Sequence, residues 1–223
     1  DLHSLRRGQR QMCIRDRAND CQRALESLLS VYTPKNPEAF IAELKELNFK
    51  RVLFILYVKT KKLFDILPLA LSSEDTKRDY NQSFPSVINF VLFGAKYDTL
   101  EHARITGLIR ENFEQLVDKL GPKMAVEFFQ KFNPDIHRSV VLLSCEDTQQ
   151  NYLEELNSLD ELESTELNHL KDLYFELSCR YKSKQSLLQW LKTLEFRNLD
   201  LERATNILLS AKNYEAAAVV HRR

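Results

Sequence analysis

Histidine would be the first candidate for acid–base or metal chemistry in this chain. Four of the five histidines stand on predicted helices, and none has a second histidine three or four residues away, the spacing that a helical zinc site requires. We therefore interpret each as a solvated or hydrogen-bonded side chain. They are His102, His137, His169 and His221.

Cysteine gives equally little support for catalysis. The four cysteines form no C-x-x-C pair and no Cys/His set at zinc spacing, so a reducing compartment is the default expectation. Cys145 is followed by Glu146 and Asp147, whose negative charges disfavour the thiolate that a nucleophile needs. We predict a packed or inert thiol there.

Sequence motifs for common enzyme classes are missing as well. The sequence contains no G-x-G-x-x-G, G-x-x-x-x-G-K-[ST], H-E-x-x-H or G-x-S-x-G. We therefore expect that the protein is not an enzyme, that it has no catalytic or metal-binding residues, and that it uses no cofactor.

One basic cluster could contact phosphate. It consists of Lys59, Lys61 and Lys62, with Lys50 and Arg51 one to three turns earlier. Long basic side chains on a buried helix more often extend to solvent, and we favour that interpretation.

The overall charge argues against a partner that is a polyanion. Lys and Arg number 32, and Asp and Glu also number 32. No net field would therefore draw the molecule to nucleic acid or anionic lipid. The acidic stretch over 154–166 is interpreted as a solvated face, with a docking surface for a basic partner as the alternative.

The elements that position these residues should be almost entirely helical. Four Gly and six Pro in 223 residues are too few for an all-β protein, which needs frequent turn residues. Asn36-Pro37, Gly121-Pro122 and Asn133-Pro134 mark helix starts. The longest apolar run, Val52–Val58, has seven residues, far below the roughly 20 that cross a bilayer, so we expect no transmembrane segment.

Apolar spacing gives the helix pattern and the fold class. Short connections oblige successive helices to pack antiparallel. The sequence therefore predicts an all-α fold, an α-solenoid of stacked antiparallel helical hairpins. The predicted helices cover residues 20–31, 37–47, 49–66, 84–95, 99–119, 122–132, 135–144, 147–159, 164–180, 184–195, 200–211 and 213–222.

The two ends suggest how the chain is organised. Residues 1–17 carry five Arg against two Asp and show no helical apolar period, so we expect a non-native or disordered segment, with a basic targeting arm as the alternative. Residues 18–223 are expected to form an α-solenoid fragment of a longer protein.

A family resemblance lies in the carboxy-terminal third. Its carriers, in chain order, are residues 151–156 (NYLEEL), 168–174 (NHLKDLY), 187–191 (LLQWL), 198–204 (NLDLERA) and 214–217 (YEAA). This order of features resembles the clathrin-heavy-chain-type helical repeats of the class C vacuolar protein sorting subunits, found in the HOPS and CORVET endolysosomal tethering complexes.

The resemblance implies a scaffold segment that acts by protein–protein interaction in membrane traffic and fusion. It implies sister subunits of a tethering or coat complex as partners, with peripheral membrane association through them. The implied location is cytoplasmic, on the late endosome or vacuole (lysosome) membrane, and no nucleic acid is expected. The implied structural repeat positions are Tyr174, Leu188, Trp190, Leu201, Ala204 and Tyr214.

Three other interpretations remain open. The same pattern partly resembles the α-solenoid of nuclear-pore scaffold proteins. An organelle RNA-binding helical-repeat protein would need a basic groove and polar base-reading side chains at fixed positions, whereas residues 18–223 are slightly acidic. A helical enzyme would need acidic or histidine-bearing helices converging on a cavity.

Overall fold

The computed structural model describes residues 2–80, 82–139, 144–159, 167–193 and 200–222. Over these residues every regular element is a helix and there is no strand, which confirms the predicted all-α helical-repeat fold. A 3₁₀ helix covers Pro134–Ser139. The α-helices are α1 (Leu2–Val31), α2 (Pro37–Glu46), α3 (Lys50–Lys59), α4 (Leu63–Leu71), α5 (Thr76–Tyr80), α6 (Phe84–Ala95), α7 (Thr99–Glu111), α8 (Phe113–Leu120), α9 (Pro122–Phe132), α10 (Glu146–Ser158), α11 (Asn168–Tyr181), α12 (Lys184–Thr193), α13 (Leu201–Ser210) and α14 (Tyr214–His221).

The chain divides into two compact units, residues 1–105 and residues 106–223. In the first unit α3 is central, because it packs against α1, α2, α4 and α5, and α4 in turn packs against α6. Five of the ten α3 side chains are buried, as expected for a helix that is apolar nearly all round. They are Val52, Leu53, Phe54, Leu56 and Tyr57.

The second unit shows the packing of stacked hairpins. Its closely packed helix pairs join elements one or two steps apart in the chain. This neighbour-to-neighbour pattern is typical of helical repeats, in which each hairpin buries its apolar face on the next. The pairs are α8–α9, α8–α10, α9–α10, α10–α11, α11–α13, α12–α14 and α13–α14.

The predicted helix over 49–66 is wrong in one respect, because it is two helices. Lys61 lies between α3 and α4 with φ of 56°, in the left-handed region. Its N–H donates to the Val58 carbonyl (3.2 Å), and the Lys62 N–H donates to the Tyr57 carbonyl (2.9 Å). These two bonds form a Schellman motif, which ends a helix by satisfying its last carbonyls.

The same motif ends two other helices without glycine. Asn48 follows α2 with φ of 54°, and Lys212 follows α13 with φ of 56°. In each case the next residue donates its N–H back to the helix, Phe49 to Leu44 (3.0 Å) and Asn213 to Leu208 (2.9 Å). The predicted helix ranges already break at 48 and at 212, whereas the stop at Lys61 was missed because such stops are expected at Gly or Asn.

Other predicted boundaries differ at helix breaks. The predicted helix over 99–119 is interrupted at Asn112, whose side-chain amide donates to the Leu108 carbonyl (2.9 Å) and whose backbone leaves the helical region. The predicted helix over 135–144 is a 3₁₀ helix over Pro134–Ser139, and residues 140–143 lie outside the described residues.

Near the amino terminus, α1 begins at Leu2 rather than at residue 20. The expectation that residues 1–17 are non-native or disordered stays a prediction, as does the domain boundary at residue 17. The predicted starts at Pro37 and Pro122 are confirmed, with Asn36 Oδ1 accepting from the Ala39 N–H (3.3 Å) and Gly121 at φ of 78°.

Replacement of Lys61 with Gly tests the left-handed turn. Because an L-residue in this conformation is strained and Gly is not, we expect Lys61→Gly to raise the free energy of unfolding by up to about 1 kcal/mol. Glu43→Gly, at an exposed position inside α2, should instead lower it by about 1 kcal/mol. Urea denaturation followed by circular dichroism measures both changes. Equal destabilisation by the two variants would contradict the assignment of the turn.

Candidate interaction site

The carboxy-terminal helices α11 to α14 share one apolar core. The small side chains of Ala204 on α13 and of Ala216 and Ala217 on α14 let these two helices approach closely. Leucine side chains from α12 and α13 fill the space between them. The buried members are Phe175, Leu187, Leu191, Ala204, Leu208, Ala216, Ala217 and Val220.

An aromatic cluster borders this core. The Trp190 ring is half-buried and meets the Tyr174 ring edge to face, with centroids 5.6 Å apart and an interplanar angle of 81°. Phe175 lies on its other side at 5.8 Å, and the Lys182 Nζ is 5.8 Å from the indole centroid. Trp190 therefore joins α11 to α12 at the edge of the core, where one part of the ring stays in contact with water.

The six predicted repeat positions have unequal environments. Tyr174 and Ala204 are buried, and Leu188 and Trp190 pack half-buried against the core. Leu201 and Tyr214 are exposed by 37% and 67% respectively. Each of these two is the first residue of its helix and precedes the first buried position, which leaves it on the surface. Their role as structural repeat positions stays a prediction.

A groove of about 600 Å³ runs between α11 and α13. Its charged side chains are largely paired, since Arg180 binds Glu176 and the Arg203 Nη1 donates to Asp172 Oδ2 (3.0 Å). Cys179 also lines the groove, and burial together with Glu176 raises the pKa of its thiol to about 12. A thiol with so high a pKa is not a nucleophile at neutral pH.

A buried polar centre lies in the second unit. His137 is fully buried, its Nδ1 is 2.8 Å from the Tyr152 hydroxyl and its Nε2 is 2.7 Å from Gln130 Oε1. Because an amide oxygen only accepts, Nε2 carries the proton and Tyr152 donates to Nδ1. Burial lowers the pKa of His137 to about 4, so the ring is neutral. The interpretation of His137 as a hydrogen-bonded side chain is confirmed.

The predicted basic cluster is mostly engaged within the first unit. Lys61 is exposed, and the other four side chains contact acidic groups or backbone carbonyls of neighbouring helices. This arrangement favours a structural role over phosphate binding. The contacts are Lys50 with Asp79 (3.4 Å), Arg51 with Glu26 (3.0 Å), Lys62 with Glu38, and Lys59 with the carbonyls of Ser30 (3.2 Å) and Tyr32 (3.4 Å).

Two further predictions concern residues in or next to α10. Cys145 precedes α10 and is exposed, with its Sγ 3.3 Å from the Thr148 hydroxyl. The thiol is therefore not packed, and the alternative of an inert thiol stays a prediction. In the acidic stretch, Glu154 binds Lys182 (2.8 Å), and residues 160–166 lie outside the described residues.

Sequence reasoning missed an exposed row of large apolar side chains at the end of α6. Phe90 and Phe93 are exposed by 40% and 70%, and Tyr97 and Leu100, which follow the helix, by 81% and 68%. The sequence could have indicated this surface. A surface helix should be polar on one side, yet no charged residue occurs from 84 to 95.

Within the described ranges, no group of three His, Cys, Asp or Glu side chains is arranged to hold a metal ion. In the same residues, no helix combines the length and apolar character needed to span a bilayer.

The fold and these surfaces define an all-α helical-repeat chain with paired charges and exposed apolar patches. No protein-family model matches it. The chain is 35% identical over 202 residues to vacuolar protein sorting-associated protein 8 of Saccharomyces cerevisiae. The match covers 91% of this chain and 16% of the yeast protein, so the chain spans less than a fifth of that relative's length. The relative's name agrees with the class of protein that the carboxy-terminal motifs resemble.

Acid should destabilise the second unit through His137. The unfolded chain takes up a proton near pH 6.5, whereas the folded chain resists protonation down to about pH 4. The stabilising contribution is therefore complete above pH 6.5 and is lost as the pH falls to about 4, amounting to about 3 kcal/mol at most.

The measurement is urea unfolding between pH 7 and pH 4 for the wild type and His137→Gln. Glutamine does not titrate, so the variant should lose less stability over this range than the wild type. His169→Gln, at an exposed position on α11, should leave the wild-type pH dependence unchanged. Identical pH curves for His137→Gln and the wild type would contradict the prediction.

Trp190→Ala should lower the free energy of unfolding by about 2–3 kcal/mol, because the half-buried ring contacts two other aromatic rings. Leu209→Ala, at an exposed position on α13, should change it by about 0.5 kcal/mol or less. Chemical denaturation compares the two. A loss below about 1 kcal/mol for Trp190→Ala would mean that the ring does not contribute to the core.

Proposed function

We propose that the chain is a scaffold segment of a vesicle-tethering subunit in endolysosomal traffic. The observation that carries the proposal is the 35% identity to yeast vacuolar protein sorting-associated protein 8 over nearly the whole chain. The order of repeat motifs over residues 151–217 supports the HOPS/CORVET class and the clathrin-heavy-chain-type repeat. The packing of α8 to α14 supports a role as a mechanical spacer.

The proposed mechanism is protein–protein interaction rather than catalysis. Hairpins that bury their apolar faces on their neighbours form a continuous support, and sister subunits bind to the remaining surfaces. Membrane association is peripheral and goes through these partners, on the cytoplasmic side of the late endosome or vacuole.

Affinity purification of the tagged full-length protein from its own cells tests the proposal. We expect the wild type to recover other class C tethering subunits. Leu208→Asp places a charge in the buried core of α13 and should abolish most of this recovery, because an unpaired buried charge unfolds the hairpin. Leu209→Asp, at the exposed neighbouring position, is the matched control and should behave as the wild type.

The outcomes separate the proposal from its alternatives. Recovery of no tethering subunit by the wild type would contradict it, and recovery of nuclear-pore scaffold proteins would replace it with the nuclear-pore alternative. Tight RNA binding that weakens steeply with added salt would instead favour the RNA-binding alternative.

A further inference from the structure

Helix α6 is apolar on two opposite sides. One side packs against α4 through fully buried aliphatic residues, among them Val87, Ile88 and Val91. The other side carries Phe90 and Phe93, which are exposed although a helix of this composition is normally covered all round. Exposed rows of large apolar side chains mark interaction sites, because water contact with them is unfavourable.

The exposed apolar side chains lie close together along the chain. Phe90 and Phe93 are three residues apart and lie on one face of α6, and Tyr97 follows two residues after that helix ends. Leu100 follows at the start of α7 and is exposed as well. Aromatic side chains at helical spacing match the apolar stripe of a second helix laid against them.

The helices beneath the row are closely packed. A Cβ added to Gly94 would lie 2.8 Å from Leu63 Cδ1, so α6 and α4 are in close contact at this point. The Phe64 N–H at the start of α4 donates to Glu101 Oε2 of α7 (3.1 Å). A side chain of one helix thus satisfies an N–H group at the start of another, where no partner exists within the helix. Arg104 binds Glu101 (2.9 Å) and stacks 4.0 Å from the Phe64 ring centroid. A surface that is already ordered loses little entropy when a partner binds.

An exposed lysine adjoins the aromatic residues. Lys96, one residue before Tyr97, forms no ion pair with any residue in the described parts of the chain. The neighbouring carboxylate, Asp98, is directed to the start of α7, where its Oδ1 accepts from the Leu100 and Glu101 N–H groups (3.0 Å each). An acidic side chain on a partner would therefore pair with Lys96.

We propose that the aromatic face of α6, made by Phe90 and Phe93 and extended by Tyr97 and Leu100, is a docking surface for an amphipathic helix of a partner protein, with acidic residues beside its apolar stripe. This inference rests on the proposed function and names the kind of partner segment. A lipid surface fits less well, because helices that lie on membranes carry many Lys and Arg on their polar face, whereas α6 has no charged residue over 84–95.

Site-specific photo-crosslinking in the tagged full-length protein tests the proposal. A photoreactive phenylalanine analogue at position 93 should crosslink to one segment of another protein, with apolar residues at helical spacing and at least one acidic neighbour. The same analogue at Val31, which is exposed by 85% on α1, is the control and should not give this product. Crosslinks to lipid, to scattered sequences or to nothing would overturn the proposal.

The crosslinked segment is then made as a peptide and its binding to the purified full-length protein is measured. Phe93→Glu should weaken binding at least about tenfold, as removal of a central aromatic contact does. Lys96→Glu should weaken it less, and a Glu→Lys change in the peptide should restore part of that loss. Val31→Glu should bind as the wild type. Equal affinity of Phe93→Glu and the wild type would overturn the proposal.

Two further readouts separate this inference from its alternatives. Sedimentation with phosphatidylcholine vesicles that contain phosphatidylserine should be unaffected by Phe93→Glu, and a loss specific to that variant would show a lipid site instead. If tethering subunits are recovered equally by the wild type and Phe93→Glu and no helix crosslinks, the docking surface is wrong while the proposed function stands. If no tethering subunit is recovered but the helix crosslinks, the proposed function is wrong while the docking surface stands.

Discussion

Most helices of this chain are too short to be stable alone in water, and this constraint shapes the whole structure. Helices of eight to 14 residues, such as α8 and α11, fall near or below the roughly 12 to 15 residues at which isolated helices become marginal. Each must bury its apolar face on a neighbour. Helix α11 is one example, because it packs on α10 and α13 and its Leu170, Phe175 and Leu177 side chains are nearly fully buried. Loss of one hairpin therefore affects the next.

The sequence predicted the positions of the helices better than the turns between them. Pro37 and Pro122 marked helix starts, and the predicted helix over 122–132 has the same bounds as α9. The turn at Lys61 was missed because lysine is rare in the left-handed conformation, and only bonds back to α3 fix it there. The exposure of Leu201 was missed because apolar spacing indicates which side of a helix is apolar, not how far along the helix a neighbour reaches.

At the candidate sites as well, the sequence indicated individual residues better than the contacts between them. The sequence indicated a solvated or hydrogen-bonded His137, but its bonds to Tyr152 and Gln130 depend on three separate elements that spacing along the chain does not bring together. The likeness to the yeast vacuolar sorting protein and the carboxy-terminal motifs agree on the class of protein. The aromatic face of α6 adds what neither gives, a defined place where a partner segment would bind.

An uncovered aromatic row also affects how this protein behaves in solution. The chain carries 32 basic and 32 acidic residues, so near neutral pH little net repulsion keeps copies apart. Rings such as Phe93 and Tyr97, both largely exposed, then promote association between copies. Sulfate strengthens burial of apolar surface, whereas modest urea weakens it. This patch would therefore lower solubility, which would rise when the patch is occupied.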